Sequence, residues 1–382
     1  MCSTMPSDRG SHPRRLRISI IGSRGYPYVY SGYETFVKEL AEGLQRRGHQ
    51  LVVYAHRELF KTRPPTVNRI RIVYVPGVRS KTLSQLTHGA LSTLHAVVSS
   101  SDVLLFVNSA NGPFGVLTRL ARQRTAINVD GLEWRRPKWK GLSRLYFKWA
   151  SRQATRWFDA VVSDSVRMSE IYKREFGVSP VTIAYGAHVP RECDERLLDA
   201  CGLRSGNYYL VVGRLVPDNN LDVILEGFSR TATTRKLAVV GDVPYRDEYV
   251  RRLRTTPDPR LVWCGYVRNR VLLDTLYTHS YAYVHGHGYG GTNPTLLEAM
   301  AAGCGILAID TVFSREVLGG EACGWFFERT GVGVADLIDM AEARPEELKA
   351  VGERARARVV TNYTWSSIVD SYERLFHQLM VK

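Results

Sequence analysis

Short runs of β-branched and aromatic residues recur along the chain, separated by stretches whose apolar positions repeat every three to four residues. A first series comprises 17–21 (RISII), 51–54 (LVVY), 70–75 (IRIVYV), 103–107 (VLLFV), 126–129 (AINV) and 160–163 (AVVS). Strands without a polar face suit a parallel sheet covered by helices on both sides, so the alternation predicts a Rossmann-like domain. The same grammar restarts at 208–212 (YYLVV) and continues through 237–241 (LAVVG), 261–264 (LVWC), 281–284 (YAYV) and 305–309 (GILAI), which predicts a second one. Gly and Pro in 185–191 (YGAHVPR) place the linker there, and a helical pattern over about 365–380 is long enough to cross back to the first domain. The organisation expected is a disordered leader over 1–13, an N-terminal domain over 14–186, a C-terminal domain over 187–364 and a closing helix over 365–382. The fold class is therefore α/β, two Rossmann-like domains facing a central cleft. Open parallel sheets bind ligands at the carboxyl ends of their strands, so the chemistry is expected in that cleft.

Length and composition narrow the class further. With 382 residues, 44% hydrophobic and 23% charged, the chain is an ordinary globular one, which excludes collagen-like, mucin-like and disordered readings. Its apolar runs, 103–107 among the longest, fall far short of the about 18 residues of a membrane-spanning helix. The first 13 residues hold no apolar stretch of a secretory signal, which points to the cytoplasm. Six cysteines without a C-x-x-C pair read as free thiols. Charge changes the picture more. Of the net +15, residues 1–186 hold 29 basic and 12 acidic side chains, against 23 and 25 in the remainder. The front half thus carries a positive field suited to nucleic acid, anionic lipid or phosphorylated substrates.

Four segments carry candidate chemistry. After the first strand, 22–36 (GSRGYPYVYSGYETF) places Gly22, Arg24, Gly25 and Gly32 before a helix whose N-terminus Ser31 and Glu34 would close as a capping box. Such a loop lets backbone amides approach an anion, and its spacing is not the dinucleotide fingerprint. The second, 131–157, interleaves Arg135, Arg136, Lys138, Lys140, Arg144, Lys148, Arg152 and Arg156 with six aromatic residues. From Arg144 on, the cations fall once per helical turn and form a stripe at Arg144, Lys148, Arg152 and Arg156. That stripe is either a solvated helix face or an anionic-membrane contact worth about 1 kcal/mol per basic residue; the tryptophans favour the membrane. Third, Arg214 in 213–220 (GRLVPDNN) stands at a strand tip, where it can pair with a phosphate. Fourth, 285–303 (HGHGYGGTNPTLLEAMAAG) offers Thr292 or Asn293 as a helix cap, Pro294 in the first turn, and Gly290 and Gly291 to leave amides bare for a diphosphate. Glu298 lies one turn in, within reach of sugar hydroxyls. His285 and His287, two apart without carboxylate or cysteine companions, are weak metal ligands, so neither metal nor other cofactor is expected. Asp130, at the end of the 126–129 strand, is a further cleft carboxylate of a kind that also serves as a plain cap.

Over about residues 16–380, GRLVPDNN, GGTNPTLLEAMAAG and the closing helix resemble glycosyltransferase family 4 of the GT-B fold. GSRGYPYVYSGYETF, NVDGLEW and HGHGYGGTNPTLLEAM are similar, more narrowly, to bacterial rhamnosyltransferases that use dTDP-rhamnose in cell-surface polysaccharide assembly. The resemblance implies retaining, metal-independent transfer of a hexose from a nucleotide diphosphate held by the second domain to an acceptor held by the first. It assigns Arg214 to the donor diphosphate, Glu298 to the ribose, the amides of Gly290, Gly291, Thr292 and Asn293 to the departing charge, and Tyr266 and Val267 to the base. Asp130 and the Arg24, Gly25, Ser31 and Gly32 loop would face sugar and acceptor. Two positions depart from the family: Gly290 replaces a glutamate that contacts sugar hydroxyls, and Asn219 replaces a lysine on the diphosphate. The first is accounted for by a deoxysugar donor or by a different pose, with His287 as a substitute contact, and the second by weaker binding or by help from Arg24 to Arg214. The expected partners are a nucleotide sugar, a saccharide or polyprenyl-linked saccharide, and the inner face of the plasma membrane. Two other readings compete. A basic nucleic-acid-binding protein fits the charge but lacks any helix-turn-helix, zinc or single-strand-binding signature, so no specific nucleic acid is expected; a nucleotide-sugar epimerase or hydrolase on the same fold fits the motifs.

Overall fold

The computed structural model describes residues 14–27, 32–78, 83–129, 131–136, 139–243 and 248–381. A first sheet is built from β1 (Arg17–Ile21), β2 (Gln50–His56), β3 (Thr66–Val67), β4 (Ile70–Val75), β5 (Val103–Val107), β6 (Arg124–Asn128), β7 (Ala160–Ser163) and β8 (Val181–Thr182), in the order β3-β4-β2-β1-β5-β6-β7-β8. Only the β3–β4 pairing is antiparallel. A second, wholly parallel sheet has β9 (Tyr208–Val212), β10 (Lys236–Val240), β11 (Leu261–Gly265), β12 (Ala282–His285), β13 (Gly305–Ile309) and β14 (Trp325–Phe327), in the order β11-β10-β9-β12-β13-β14. Every residue of the central strands β5 and β13 is buried, as an apolar run flanked by helices requires.

Helices α1 (Gly32–Arg46), α2 (Leu83–Val97), α3 (Gly115–Leu120), α4 (Gly141–Trp157) and α5 (Val166–Phe176) belong to the first sheet. The second carries α6 (Leu221–Arg230), α7 (Glu248–Arg254), α8 (Arg270–Thr278), α9 (Pro294–Ala302), α10 (Val312–Leu318), α11 (Gly331–Ala343) and α12 (Pro345–Asn362). In each sheet the winding reverses once at the centre, between β1 and β5 and between β9 and β12. A crevice opens above the carboxyl ends of strands at such reversals, and the two crevices face each other.

The last helix, α13 (Trp365–Val381), leaves the second domain and packs on α1 of the first, as the apolar periodicity of 365–380 anticipates. Gly43 makes the approach possible: a Cβ there would lie 2.5 Å from Cγ2 of Val369. Asn128 at the end of β6 donates to the Tyr372 hydroxyl at 2.8 Å, and Phe36 packs against both Tyr372 and Tyr185. The chain crosses between domains twice, side by side. Ala187 and Thr364 form a parallel bridge, and Gly186 lies against the Trp365 ring. Arg47 pairs with Asp370 at 2.6 Å and Glu373 at 2.5 Å, and His49 Nε2 meets Glu373 at 2.8 Å. His49, Glu373 and His377 are, among the described residues, the group whose donor atoms lie close enough to share an ion. The Leu16 N–H donates to His49 Nδ1, so the proton of a neutral ring sits on Nε2 and goes to Glu373. Both ring nitrogens are thereby occupied, and the cluster is a clamp on α13.

Candidate active site

The facing crevices merge into one cleft of about 2150 Å³. Its second-domain wall consists of the loops after β9 and β12. Arg214 stands just beyond β9, half-buried, and no carboxylate among the described residues pairs with it. Asn219 locks the two loops together: its Nδ2 donates to the Arg214 carbonyl at 2.7 Å, and its Oδ1 meets His287 Nδ1 at 2.6 Å. Because the amide nitrogen is already donating, Oδ1 must accept, which puts the His287 proton on Nδ1. Burial, then the charges of Arg136, His285 and Arg214, hold His287 well below the usual imidazole range. Burial alone pushes His285 down to about 3. Asn220 Nδ2 donates to the Gly286 carbonyl at 2.7 Å and the Gly288 N–H to the Asp218 carbonyl at 3.1 Å, so the loops move as one piece.

Of the two candidate caps for α9, the structure uses Asn293, whose Oδ1 accepts from the Thr295 N–H at 3.0 Å and the Thr295 hydroxyl at 2.8 Å, with Pro294 opening the helix. The Thr292 hydroxyl serves the domain junction instead, accepting from the Tyr185 N–H at 3.0 Å and donating to the Asp164 carbonyl at 3.3 Å. Gly290 has a φ of +112°, a conformation that strains any side-chain-bearing residue, so this backbone and a glutamate at 290 are incompatible. Gly291 is required by space: a Cβ would sit 1.8 Å from Asp164 Oδ1 of the first domain. Glu298 lines the cleft and accepts from Arg270 Nη1 at 2.7 Å; Arg270 also pairs with Asp274 at 2.7 Å. Tyr266 and Val267 line the cleft beyond β11, with the Arg268 guanidinium 5.9 Å from the Tyr266 ring centre.

On the first-domain wall, Gly22 and Arg24 line the cleft; Arg24 is exposed and its N–H donates to Glu34 Oε1 at 3.4 Å. Gly25 packs instead against Ala55, where a Cβ would come within 2.5 Å. Gly32 opens α1 directly across from α9: a Cβ there would lie 3.2 Å from the Pro294 ring. Two helix N-termini therefore converge on one space, and the positive ends of their dipoles favour an anion there. Ser31, Asp130 and Lys138 lie outside the described residues. The segment that sequence reading joined to the basic stripe divides. Arg136 and Trp139 turn into the cleft with Glu133, whereas Arg144, Lys148, Arg152 and Arg156 stay on the exposed side of α4. Lys148 lies 3.7 Å from Glu175 and Arg156 stacks 4.9 Å from the Trp157 ring centre. Leu142, Leu145 and Trp149 are exposed beside them, and Tyr146 turns inward to donate to the Ala110 carbonyl at 2.8 Å. Among the described residues no helix is long and apolar enough to cross a membrane.

The sequence assigns no cleft role to Arg270, the partner of Glu298, or to Asp164 and Glu133, and it places Trp139 only among the aromatic residues of the basic segment. The loop around Asp164 and the irregular stretch 131–139 have no periodicity that would assign them a face.

The two halves of the chain match two family models. Residues 31–186 match one described as a glycosyl transferase 4-like domain, and residues 203–358 one described as glycosyl transferases group 1. A search against curated proteins finds no match. Among solved structures, the chain is similar to sucrose-phosphate synthase from Thermosynechococcus elongatus, with a TM-score of 0.83 at 17% identity over 96% of this chain and 100% of that one. It is also similar to Anabaena HepE, solved with UDP, with a TM-score of 0.77 at 14% identity over 95% and 100% of the two chains. A glycosyltransferase from Rickettsia africae aligns with a TM-score of 0.73 at 14% identity over 96% and 99%.

Proposed function

The protein belongs to the glycosyltransferases of the GT-B fold, and on that premise we propose that it is a retaining hexosyltransferase that moves rhamnose from dTDP-rhamnose to a saccharide acceptor, polyprenyl-linked, in cell-surface polysaccharide assembly. The observation that carries the donor-site reading is Arg214, a cleft guanidinium with no carboxylate partner among the described residues, beside the capped N-terminus of α9. Anabaena HepE, a structural neighbour, has been solved with UDP and with UDP-glucose, which supports a nucleotide sugar as donor here. In the reaction proposed, the sugar C1–O bond to the diphosphate breaks and a bond from C1 to an acceptor hydroxyl oxygen forms on the same face. The hydroxyl proton passes to the departing phosphate oxygen. The charge gathering on the diphosphate is met by Arg214 and the amides of Gly290 to Asn293, with no metal required. Gly290 in place of a glutamate for sugar hydroxyls fits a deoxysugar, and the neutral ring of His287, in the same cleft, would serve as a substitute contact. Glu298, Tyr266 and Val267 would take ribose and base. Arg24 and Gly32, which line the cleft, would face the acceptor, held by residues 14–186.

Membrane association at the inner face of the plasma membrane is part of the same proposal. It rests on the exposed side of α4, where Leu142, Leu145 and Trp149 stand beside Arg144, Lys148, Arg152 and Arg156. Such a mixed face suits the boundary between anionic headgroups and acyl chains. A thermal-shift panel of dTDP, UDP and GDP sugars tests the donor. At 100 times its dissociation constant the correct one adds about 2.7 kcal/mol of stability. A panel in which dTDP-rhamnose adds no more than the others overturns that donor assignment.

A further inference from the structure

Glu133, Arg136 and Trp139 form a brace on the first-domain wall of the cleft. One Glu133 oxygen accepts from Trp139 Nε1 at 2.7 Å, and the other holds the Nε edge of Arg136 at 2.9 Å. The brace fixes which way the guanidinium faces. Its Nη1 end reaches out of the first domain and stands 3.6 Å from Asp218 Oδ2, on the loop after β9. That distance is too long for a hydrogen bond, so the contact across the cleft is purely electrostatic and open to exchange. The Arg136 side chain is only 11% exposed. Glu133 holds one edge of this desolvated guanidinium, and Asp218 sets a second carboxylate against its outward end.

Arg136, Arg214 and His287 share the cleft, and among the positive charges that act on the His287 ring Arg136 comes ahead of Arg214. Position 219, by contrast, has no charge to offer. Asn219 is committed on both sides, to the Arg214 carbonyl and to His287. A nucleotide diphosphate carries more than one negative charge, and the second domain meets it with one uncompensated arginine and helix-end amides. We propose that Arg136 is the second cation of the donor diphosphate site, reaching it from the opposite domain, and that Asp218 is the carboxylate it exchanges for the diphosphate. The inference rests on the nucleotide-diphosphate reading given above.

Isothermal titration of the full chain with dTDP, UDP, dTMP and UMP, without acceptor, tests it. Arg136→Gln should weaken binding of the diphosphates at least tenfold and leave the monophosphates within about twofold, because the guanidinium meets the outer phosphate. Asp218→Asn removes the competing carboxylate and should tighten diphosphate binding. Arg214→Ala is the reference. If it weakens the diphosphates and Arg136→Gln does not, the second cation is elsewhere and the donor site stands. If neither substitution matters, the donor-site reading falls with this one. Should Arg136→Gln fail to fold, Asp218→Asn decides: tighter diphosphate binding supports the exchange, and unchanged or looser binding overturns it. No lipid diphosphate is present in these titrations, so a loss cannot come from the acceptor.

Discussion

The two domains are built by one strand–helix grammar and use charge in opposite ways. In the first, the surplus of cations is held outward. Among the described residues no acid pairs with Arg144, Arg152 or Arg156 on the exposed side of α4. In the second, several arginines are matched within the fold: Arg260 to Asp258 at 2.7 Å, Arg315 to Asp310 at 2.6 Å, Arg270 to Asp274 and Glu298. Arg214, in the cleft, stands apart from that matching. A parallel sheet wrapped in helices thus leaves electrostatics free to be assigned afterwards, with an extended basic stripe on one copy and a cleft arginine on the other.

The widest gap between the domains should appear on a lipid surface. Replacing Arg144, Lys148, Arg152 and Arg156 together by Gln should weaken binding to anionic vesicles by about 3 to 4 kcal/mol, near 1 kcal/mol per residue, with Lys148 contributing least because Glu175 already faces it. Folding should barely respond, and raising the salt should erase the difference as the Debye length shortens. Equal sedimentation of parent and variant with such vesicles at low salt would return the stripe to a solvated face.

Next in size is the point charge of the second domain. Arg214→Ala should cost about 3 kcal/mol of transition-state stabilisation, more than 100-fold in turnover, with nucleotide diphosphate binding weakened in parallel. A variant with parental kcat/KM would remove the cleft from the donor site.

Acid sharpens what the domains share. Burial, with the neighbouring His56 second, pushes His88 in the first domain down to about 3; burial pushes His285 in the second to the same level. Each is neutral in the fold and takes a proton when unfolded below about pH 6.5. Stability from each is therefore complete above about pH 6.5, declines as pH falls toward 3 and is flat below it. Between pH 6.5 and 5 each should cost about 2 kcal/mol, read from urea midpoints. His88→Gln and His285→Gln should each flatten the slope by about one proton; an unchanged slope in either contradicts the neutral buried ring at that site.

Smallest is Glu298→Gln. It keeps the shape and leaves Arg270 its second partner, Asp274, so donor affinity should fall by about 1 kcal/mol through lost charge-assisted hydrogen bonds. A donor constant equal to the parent's would make Glu298 a packing residue of α9.

The central strands were legible because a buried parallel strand announces itself by composition. The runs at 17–21, 103–107, 208–212 and 305–309 coincide with β1, β5, β9 and β13. The edges β3, β8 and β14, of two or three residues, are too short to show a pattern. Arg214 and the glycines of 290–291 stood out for the same reason of place, directly after strands. What stayed hidden depends on approach between distant segments. Nothing local marks Asp164 as the residue that denies Gly291 a side chain, or Asn219 as a bridge where a cation was sought. Arg136 lies where the sequence has no apolar period, and without a period no residue there can be given a side.

The paired crossings at 186–187 and 364–365 bear on the order of assembly. On the ribosome the first domain emerges complete in its strands yet lacking the helix that covers α1, since Tyr372, Val369 and their neighbours are encoded only after the whole second domain. At about 5–20 residues per second, the intervening stretch takes on the order of ten to forty seconds to synthesise. During that interval the seam around Phe36 and Gly43 stays uncovered, and α13 acts as the cap that ends its exposure.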